Sequence, residues 1–191
     1  VEMARKAGVT DLYIHAFLDG RDVPPASALG FLDKLEERLI QLRLGKIATV
    51  SGRYYAMDRD TRWDRVKLAW DAMVHSRGQM AHSAREAVER SYAEGVTDEF
   101  VVPTVILDER ESPVGPVRDG DSVIFFNFRG DRARELTRAF NVDEFDGFDR
   151  GPRPAVNFVC MMKYLDADIP VAFATPEPHD GLAETIVRAG K

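Results

Sequence analysis

The 191-residue chain has a single cysteine, Cys160, so no internal disulfide can form. That usage fits the cytoplasm, where thiols stay reduced. Cys160 lies inside the apolar run 156–162 and reads as a buried core thiol rather than a nucleophile. No apolar stretch approaches the ~20 residues needed to span a bilayer, and the polar start VEMARK is unlike a secretory signal. A cytoplasmic location with no membrane partner is therefore expected. The four histidines, His15, His75, His82 and His179, show no ligand spacing and no accompanying carboxylate cluster, so no metal is expected on this chain. None of the seven serines lies in a nucleophile elbow, and there is neither a P-loop nor a dinucleotide fingerprint. A net charge of −6 leaves no broad basic face, which excludes nucleic acid as a partner.

What the chain does have is arginine, twenty against six lysines, and much of it stands at strand exits. Three β-like runs, 12–17, 47–50 and 123–128, each end in a loop loaded with guanidinium groups. These loops are Asp19-Gly20-Arg21-Asp22, Ser51-Gly52-Arg53 with Arg59 following, and Arg129-Gly130-Asp131-Arg132. In alternating strand/helix proteins the residues just past the strand ends line the ligand crevice. Guanidinium forks match phosphate and carboxylate bidentately. The expectation is three loops at one edge of one sheet, holding a small, multiply anionic molecule.

The rest of the chain alternates in the same way. Helices are expected from Ser27 as N-cap to Gly45 as C-cap, over 63–74, from the Ser83-x-x-Glu86 capping box to about Gly95, from about Asp131 to Phe140, and after Asp180. Residues 100–107 read as a strand that Pro103 confines to an edge or bulge. Residues 123–128, apolar on both faces, read as a central strand. Runs 156–164 and 170–174 add two more strands, and 141–154 reads as a surface excursion. The fold class is α/β: a layered, mostly parallel sheet flanked by helices in a single domain spanning 1–191.

Each arginine loop also admits a plainer reading. Asp19-Gly20 can be a turn with Asp22 paired to Arg21. Arg62 and Arg65, within a helix, read as surface ion pairs worth about 0–1 kcal/mol each. Asp131 can be a simple N-cap. In the functional alternative, the start of the helix after residue 128 adds backbone N–H groups and its dipole to the side chains of Arg129 and Arg132. Asp22 beside a hydroxylated ligand can serve as general base. This inventory holds an anion and offers a base, but contains no evident nucleophile.

The strings YIHAFLDGRDVPP (13–25), SGRYYAMDRDTRWDR (51–65) and FFNFRGDRARELTRAF (125–140) closely resemble the cofactor-independent (2,3-bisphosphoglycerate-independent) phosphoglycerate mutases, in register along essentially the whole chain. The resemblance implies the transferase, or substrate-binding, domain of a two-domain glycolytic and gluconeogenic enzyme interconverting 3-phosphoglycerate and 2-phosphoglycerate. It further implies that a serine of an alkaline-phosphatase-like domain, beside two manganese or magnesium ions, takes the phosphoryl group. Neither that serine nor the metal-ligand set has a counterpart here, so the metal belongs to the companion domain in cis, and this chain alone is expected to be inactive. Motif matching implies that Arg21, Asp22, Arg53, Arg59, Arg129, Gly130, Asp131 and Arg132 bind substrate, with Asp22 the proton acceptor. Gly130 stands at a position that varies in the family. A monomer is expected, and the start at Val1 and end at Lys191 suggest a piece of a longer chain. The competing reading is a non-catalytic anion-binding or interaction module on the same fold.

Overall fold

A computed structural model describes residues 1–174 and 182–189. A short opening helix α1, Glu2–Lys6, precedes strand β1, Tyr13–Leu18. Helix α2, Ala28–Leu42, leads to β2, Lys46–Gly52, which passes directly into the one-turn helix α3, Arg53–Ala56, and then α4, Trp63–His75. Strand β3, Gln79–Ala81, helix α5, Ala84–Ala93, and a 3-10 turn at Asp98–Phe100 follow. The remainder comprises β4 (Thr104–Ile106), β5 (Ser122–Phe125), α6 (Gly130–Asn141), β6 (Asn157–Cys160) and α7 (Leu182–Arg188).

The α/β class and the preference for parallel pairing are as expected, but the strands form two sheets rather than one. β1, β2, β4 and β3 pair in that order, with β1–β2 and β3–β4 parallel and β2–β4 antiparallel. β5 and β6 form a separate parallel pair. The two parts meet through side chains, Phe17 of β1 packing edge-on against Phe125 of β5 at 5.9 Å. One core gathers α4, α6, β5 and β6 around Trp70, Leu136, Phe140 and Phe158. A second lies between α2, α5 and the four-stranded sheet, around Leu32, Val50 and Val88.

Several expectations need correction. Residues 123–128 are not a central strand apolar on both faces. β5 stops at Phe125, and Ile124, Phe126 and Phe128 are 53%, 71% and 62% exposed. Pro103 does not mark an edge either, because β4 lies between β2 and β3. The proline precedes the strand, takes no N–H from the ladder, and its carbonyl accepts from Gln79 N at 3.2 Å. Residues 100–102 are not strand, and 170–174 contribute a single bridge, Val171 to Cys160. The excursion 141–154 is only partly superficial, since Phe145 and Phe148 pack against Trp63 and Trp70. α2 ends at Leu42 and its C-cap is the left-handed Arg43, while Gly45, also at positive φ, lies two residues beyond. The α5 capping box is present: Glu86 N donates to Ser83 Oγ at 3.0 Å. The Glu86 carboxylate reaches back to His82 N at 2.8 Å. Asp180 and His179 lie outside the described residues.

Candidate anion-binding site

Parallel β1 and β2 deliver their C-terminal ends side by side, Leu18 opposite Gly52. The chain leaving β1 turns at once, because Asp19 Oδ1 accepts the amides of Arg21 and Asp22, each at 3.0 Å. Gly20 carries φ +68° at this turn. Both Asp19 and Asp22 then face Arg53, the first residue of α3. Its Nη1 donates to Asp19 Oδ1 at 2.5 Å and to Asp22 Oδ2 at 2.9 Å. The Arg53 side chain is only 4% exposed. Burial opposes its charge, but the hydrogen bonds and charges of Asp22 and Asp19 outweigh that and hold its pKa up.

The third loop arrives from the other sheet and closes onto the second. Asp131, in the first turn of α6, accepts from Arg59 Nη1 at 3.1 Å and lies 2.8 Å from Arg129 Nε. Burial would raise its carboxyl pKa, yet Arg59 and Arg129 keep it below the usual range. Asp131 is therefore not an N-cap: Arg129 occupies that position without a side-chain cap bond. Arg132 Nη1 donates to the Met57 carbonyl at 3.0 Å, while its buried Nε has no hydrogen-bond partner. Burial, then repulsion from Arg53 and Arg59, lowers the Arg132 pKa, with Asp131 offsetting only part and Arg129 adding to it. Arg132 thus feels Arg53, Arg59 and Arg129 across the gap between the two sheets. Gly130 is held close, a Cβ there meeting the Lys163 carbonyl at 3.3 Å.

Arg21 stands apart from this core. Its side chain is 65% exposed and lies 3.4 Å from Glu99 Oε1, so the Arg21–Asp22 pair of the plainer reading does not form. Arg62 is exposed, whereas Arg65 is not merely a surface residue. It lies 3.5 Å from the buried Asp58 and 3.9 Å over the ring of Tyr54. Pattern reading missed Asp19, which shares Arg53 with Asp22, and Glu99. It also missed two buried carboxyls under the Arg59 loop, Asp58 and Glu135. Glu135 is flanked by helix residues in the sequence and gives no periodic signal of burial.

This arrangement can receive an anion by exchange, the ligand's oxygens replacing carboxylates on exposed Arg59, Arg129 and Arg21 while buried Arg53 and half-buried Arg132 supply fixed positive charge. Asp22, 71% exposed at the mouth, can reach a ligand hydroxyl. Among the described residues no group of three or more His, Cys, Asp or Glu side chains could hold a metal ion, and no helix is long and apolar enough to cross a membrane. A cavity of about 580 Å³ opens elsewhere, over Leu39, Ile47, Ile106, His82 and Asp108. It contains none of the strand-exit arginines, and concentrated positive charge rather than volume marks the site for a small anion.

Residues 1–166 match the family described as BPG-independent PGAM N-terminus. The whole chain is 55% identical to part of 2,3-bisphosphoglycerate-independent phosphoglycerate mutase 1 from Methanosarcina acetivorans, and 51% identical to part of the 2,3-bisphosphoglycerate-independent phosphoglycerate mutase of Myxococcus xanthus. In both cases it spans 37% of the relative's length. A crystal structure of Leishmania mexicana phosphoglycerate mutase at low cobalt concentration superimposes with a TM-score of 0.82 at 41% identity. The match covers 85% of this chain and 31% of that one.

Proposed function

Because this chain belongs to the BPG-independent PGAM N-terminus family, we propose that residues 1–191 are the substrate-holding transferase domain of an enzyme interconverting 3-phosphoglycerate and 2-phosphoglycerate. The observation that carries this reading is the mutual approach of Arg53, Arg59, Arg129 and Arg132 from loops of two sheets. A phosphoglycerate presents a phosphate and a carboxylate, each matched by guanidinium forks. In this reading the four arginines and Arg21 grip the two anionic groups, with Gly130 letting the helix start approach the ligand and Asp131 orienting Arg59 and Arg129. Asp22 accepts the proton of the glycerate hydroxyl as that oxygen takes the phosphoryl group.

The phosphoryl group itself passes through a serine of a phosphatase-like domain, served there by two manganese or magnesium ions. That chemistry belongs to polypeptide beyond this chain, which spans about 37% of its relatives' length. The substrate is held on one polypeptide with the companion domain in cis, so the reading takes a cytoplasmic monomer, which light scattering on the whole enzyme checks.

Calorimetry with 3-phosphoglycerate tests the site. Binding is expected to be weak and to decline with added salt. Arg129→Ala and Arg21→Ala should each weaken it, and the double variant should abolish it. A double variant that binds as well as the parent chain would sink the assignment. Sulfate and sugar phosphates binding equally well would favour a general anion module instead. The 191-residue chain is expected to show no mutase turnover, and measurable turnover would refute the division of labour.

A further inference from the structure

Arg59 stands on the loop between α3 and α4, and that loop has no regular structure of its own to hold it. It also contains an uncommon backbone: Thr61, a β-branched residue, carries φ +57°. Side chains in this region strain the chain and persist only where surrounding groups fix them. Two buried carboxyls do the fixing. Asp58 Oδ1 accepts the amides of Asp60 at 2.8 Å and Arg62 at 3.0 Å, making a tight local turn. Glu135 Oε1, from α6, accepts the amide of Thr61 itself at 2.8 Å. Glu135 is 5% exposed, and its second oxygen, Oε2, is buried without a hydrogen-bond partner. It lies one helical turn from Asp131 and Arg132, the residues that contact Arg59 and the Met57 carbonyl.

From these contacts we infer that Glu135 is a positioning residue: it pins the strained Arg59 loop to helix α6 and thereby sets the spacing between Arg59 and the arginines at the start of that helix. The inference rests on reading the arginine cluster as a phosphoglycerate site. It adds a group that touches no ligand and acts only through Thr61.

The pin has a protonation state. Asp58 and Asp60 on the loop are the acidic groups facing Glu135, and Arg65 of α4 lies on the far side of Asp58. Burial, reinforced by Asp58 and Asp60, pushes the Glu135 carboxyl up to about 7, although the Thr61 amide favours its charge. A proton on Oε2 has an acceptor in the Asp58 carboxyl, which lies within hydrogen-bonding reach. Protonated, Glu135 bonds both the strained residue and the turn below it. Ionised, it places a second negative charge against Asp58 in a buried space. The loop should be held tightly below neutrality and loosen above it.

The test uses the 191-residue chain and reads Thr61 amide-exchange protection and 3-phosphoglycerate affinity from pH 6 to 8. Glu135→Ala is expected to lower both at least tenfold. Glu135→Gln keeps an acceptor for Thr61 N–H and a donor toward Asp58, and should stay within threefold of the parent at pH 6. It should also lose the parent's decline toward pH 8. Affinities are compared between parent and Gln chains at each pH, so that titration of the ligand phosphate cancels. Unaltered Thr61 protection in the Ala chain, or parallel pH profiles for parent and Gln chains, overturns the inference. If the Ala chain does not fold, the Gln comparison decides alone. If the parent binds no 3-phosphoglycerate while Thr61 responds as expected, the pin stands and the functional reading fails.

Discussion

Gly52 ends β2 with ordinary extended backbone, φ −65°, so it is not needed for a turn. It is needed for space: a Cβ there would lie 2.3 Å from the Glu99 carbonyl oxygen. That contact is with backbone, which cannot rotate away as a side-chain tip can. Gly52→Ala should therefore destabilise the chain by about 2–3 kcal/mol, read as a lower denaturant midpoint at constant m-value. It should also weaken 3-phosphoglycerate, because Arg53 follows directly. A neutral effect on both would mean that the 98–100 segment gives way. Such neighbours are invisible in the sequence. Arg53, Arg59, Arg129 and Arg132 were legible because strand exits are local features. Asp19 taking Arg53 from a distance of 34 residues, and Glu135 taking Thr61 from 74, were not. Arg21 shows the limit from the other side, since a motif places it at the site while its guanidinium turns to Glu99.

Among the elements, α2 illustrates how a correct boundary can hide its cause. Ser27 is the N-cap residue, but its hydroxyl makes no capping bond. The cap is Asp98, fully buried, whose Oδ2 accepts the amides of Ser27 and Ala28, both at 2.9 Å, and whose Oδ1 accepts from Tyr92 O–H. One carboxylate thus ties α2 to α5 and to the 3-10 turn behind Gly20 and Gly52. Asp98→Ala strands two buried amides and a hydroxyl, and should cost about 3 kcal/mol or more. Ser27→Ala keeps both amide bonds to Asp98 and loses only the hydroxyl's long 3.4 Å bond to Oδ2 and its bond to the Pro24 carbonyl, and should cost less than about 1 kcal/mol. Thermal or chemical denaturation of the pair separates the roles, and equal effects would contradict the assignment. The Ser83–Glu86 box was readable because cap and partner are three residues apart. β5 was recognised but misplaced: five apolar residues in six suggest burial on both faces, whereas the strand ends at Phe125, pairs with β6 alone, and leaves Ile124 and Phe126 exposed.

Over the whole molecule, stability against pH reports half-buried His15 and buried Glu135 with opposite signs. His15, bonded through Nδ1 to Thr49 Oγ1 at 2.9 Å, has its pKa lowered to about 4 by burial, with Asp121 opposing only in part. The unfolded chain then binds a proton that the folded chain refuses, so stability is full above the ordinary histidine value of 6.5 and declines as pH falls toward 4. Glu135 is the reverse. Its folded pKa of about 7 exceeds the ordinary glutamate value of 4.5, so its stability is full below 4.5 and is lost as pH rises to 7. Between 4.5 and 6.5 the two slopes cancel. The lowered carboxyls of Asp19, Asp108 and Asp131 act below this window and the raised Cys160 and Tyr92 above it, while Glu36, raised by burial and by Asp33, adds to the Glu135 slope at the window's lower end. The parent chain should accordingly show nearly constant stability from pH 4.5 to 6.5. Glu135→Gln leaves the histidine opposed only by the raised Glu36, and its stability should rise with pH there by up to about 1.4 kcal/mol per unit. His15→Gln leaves the raised glutamates, Glu135 and Glu36, and its stability should fall over the same range. Urea midpoints at pH 4.5, 5.5 and 6.5 for the three chains decide this. Equal slopes in all three would mean that neither group titrates as its surroundings dictate. Neither effect was available to sequence reading, because both depend on burial that arises only where the two sheets and α6 close on one another.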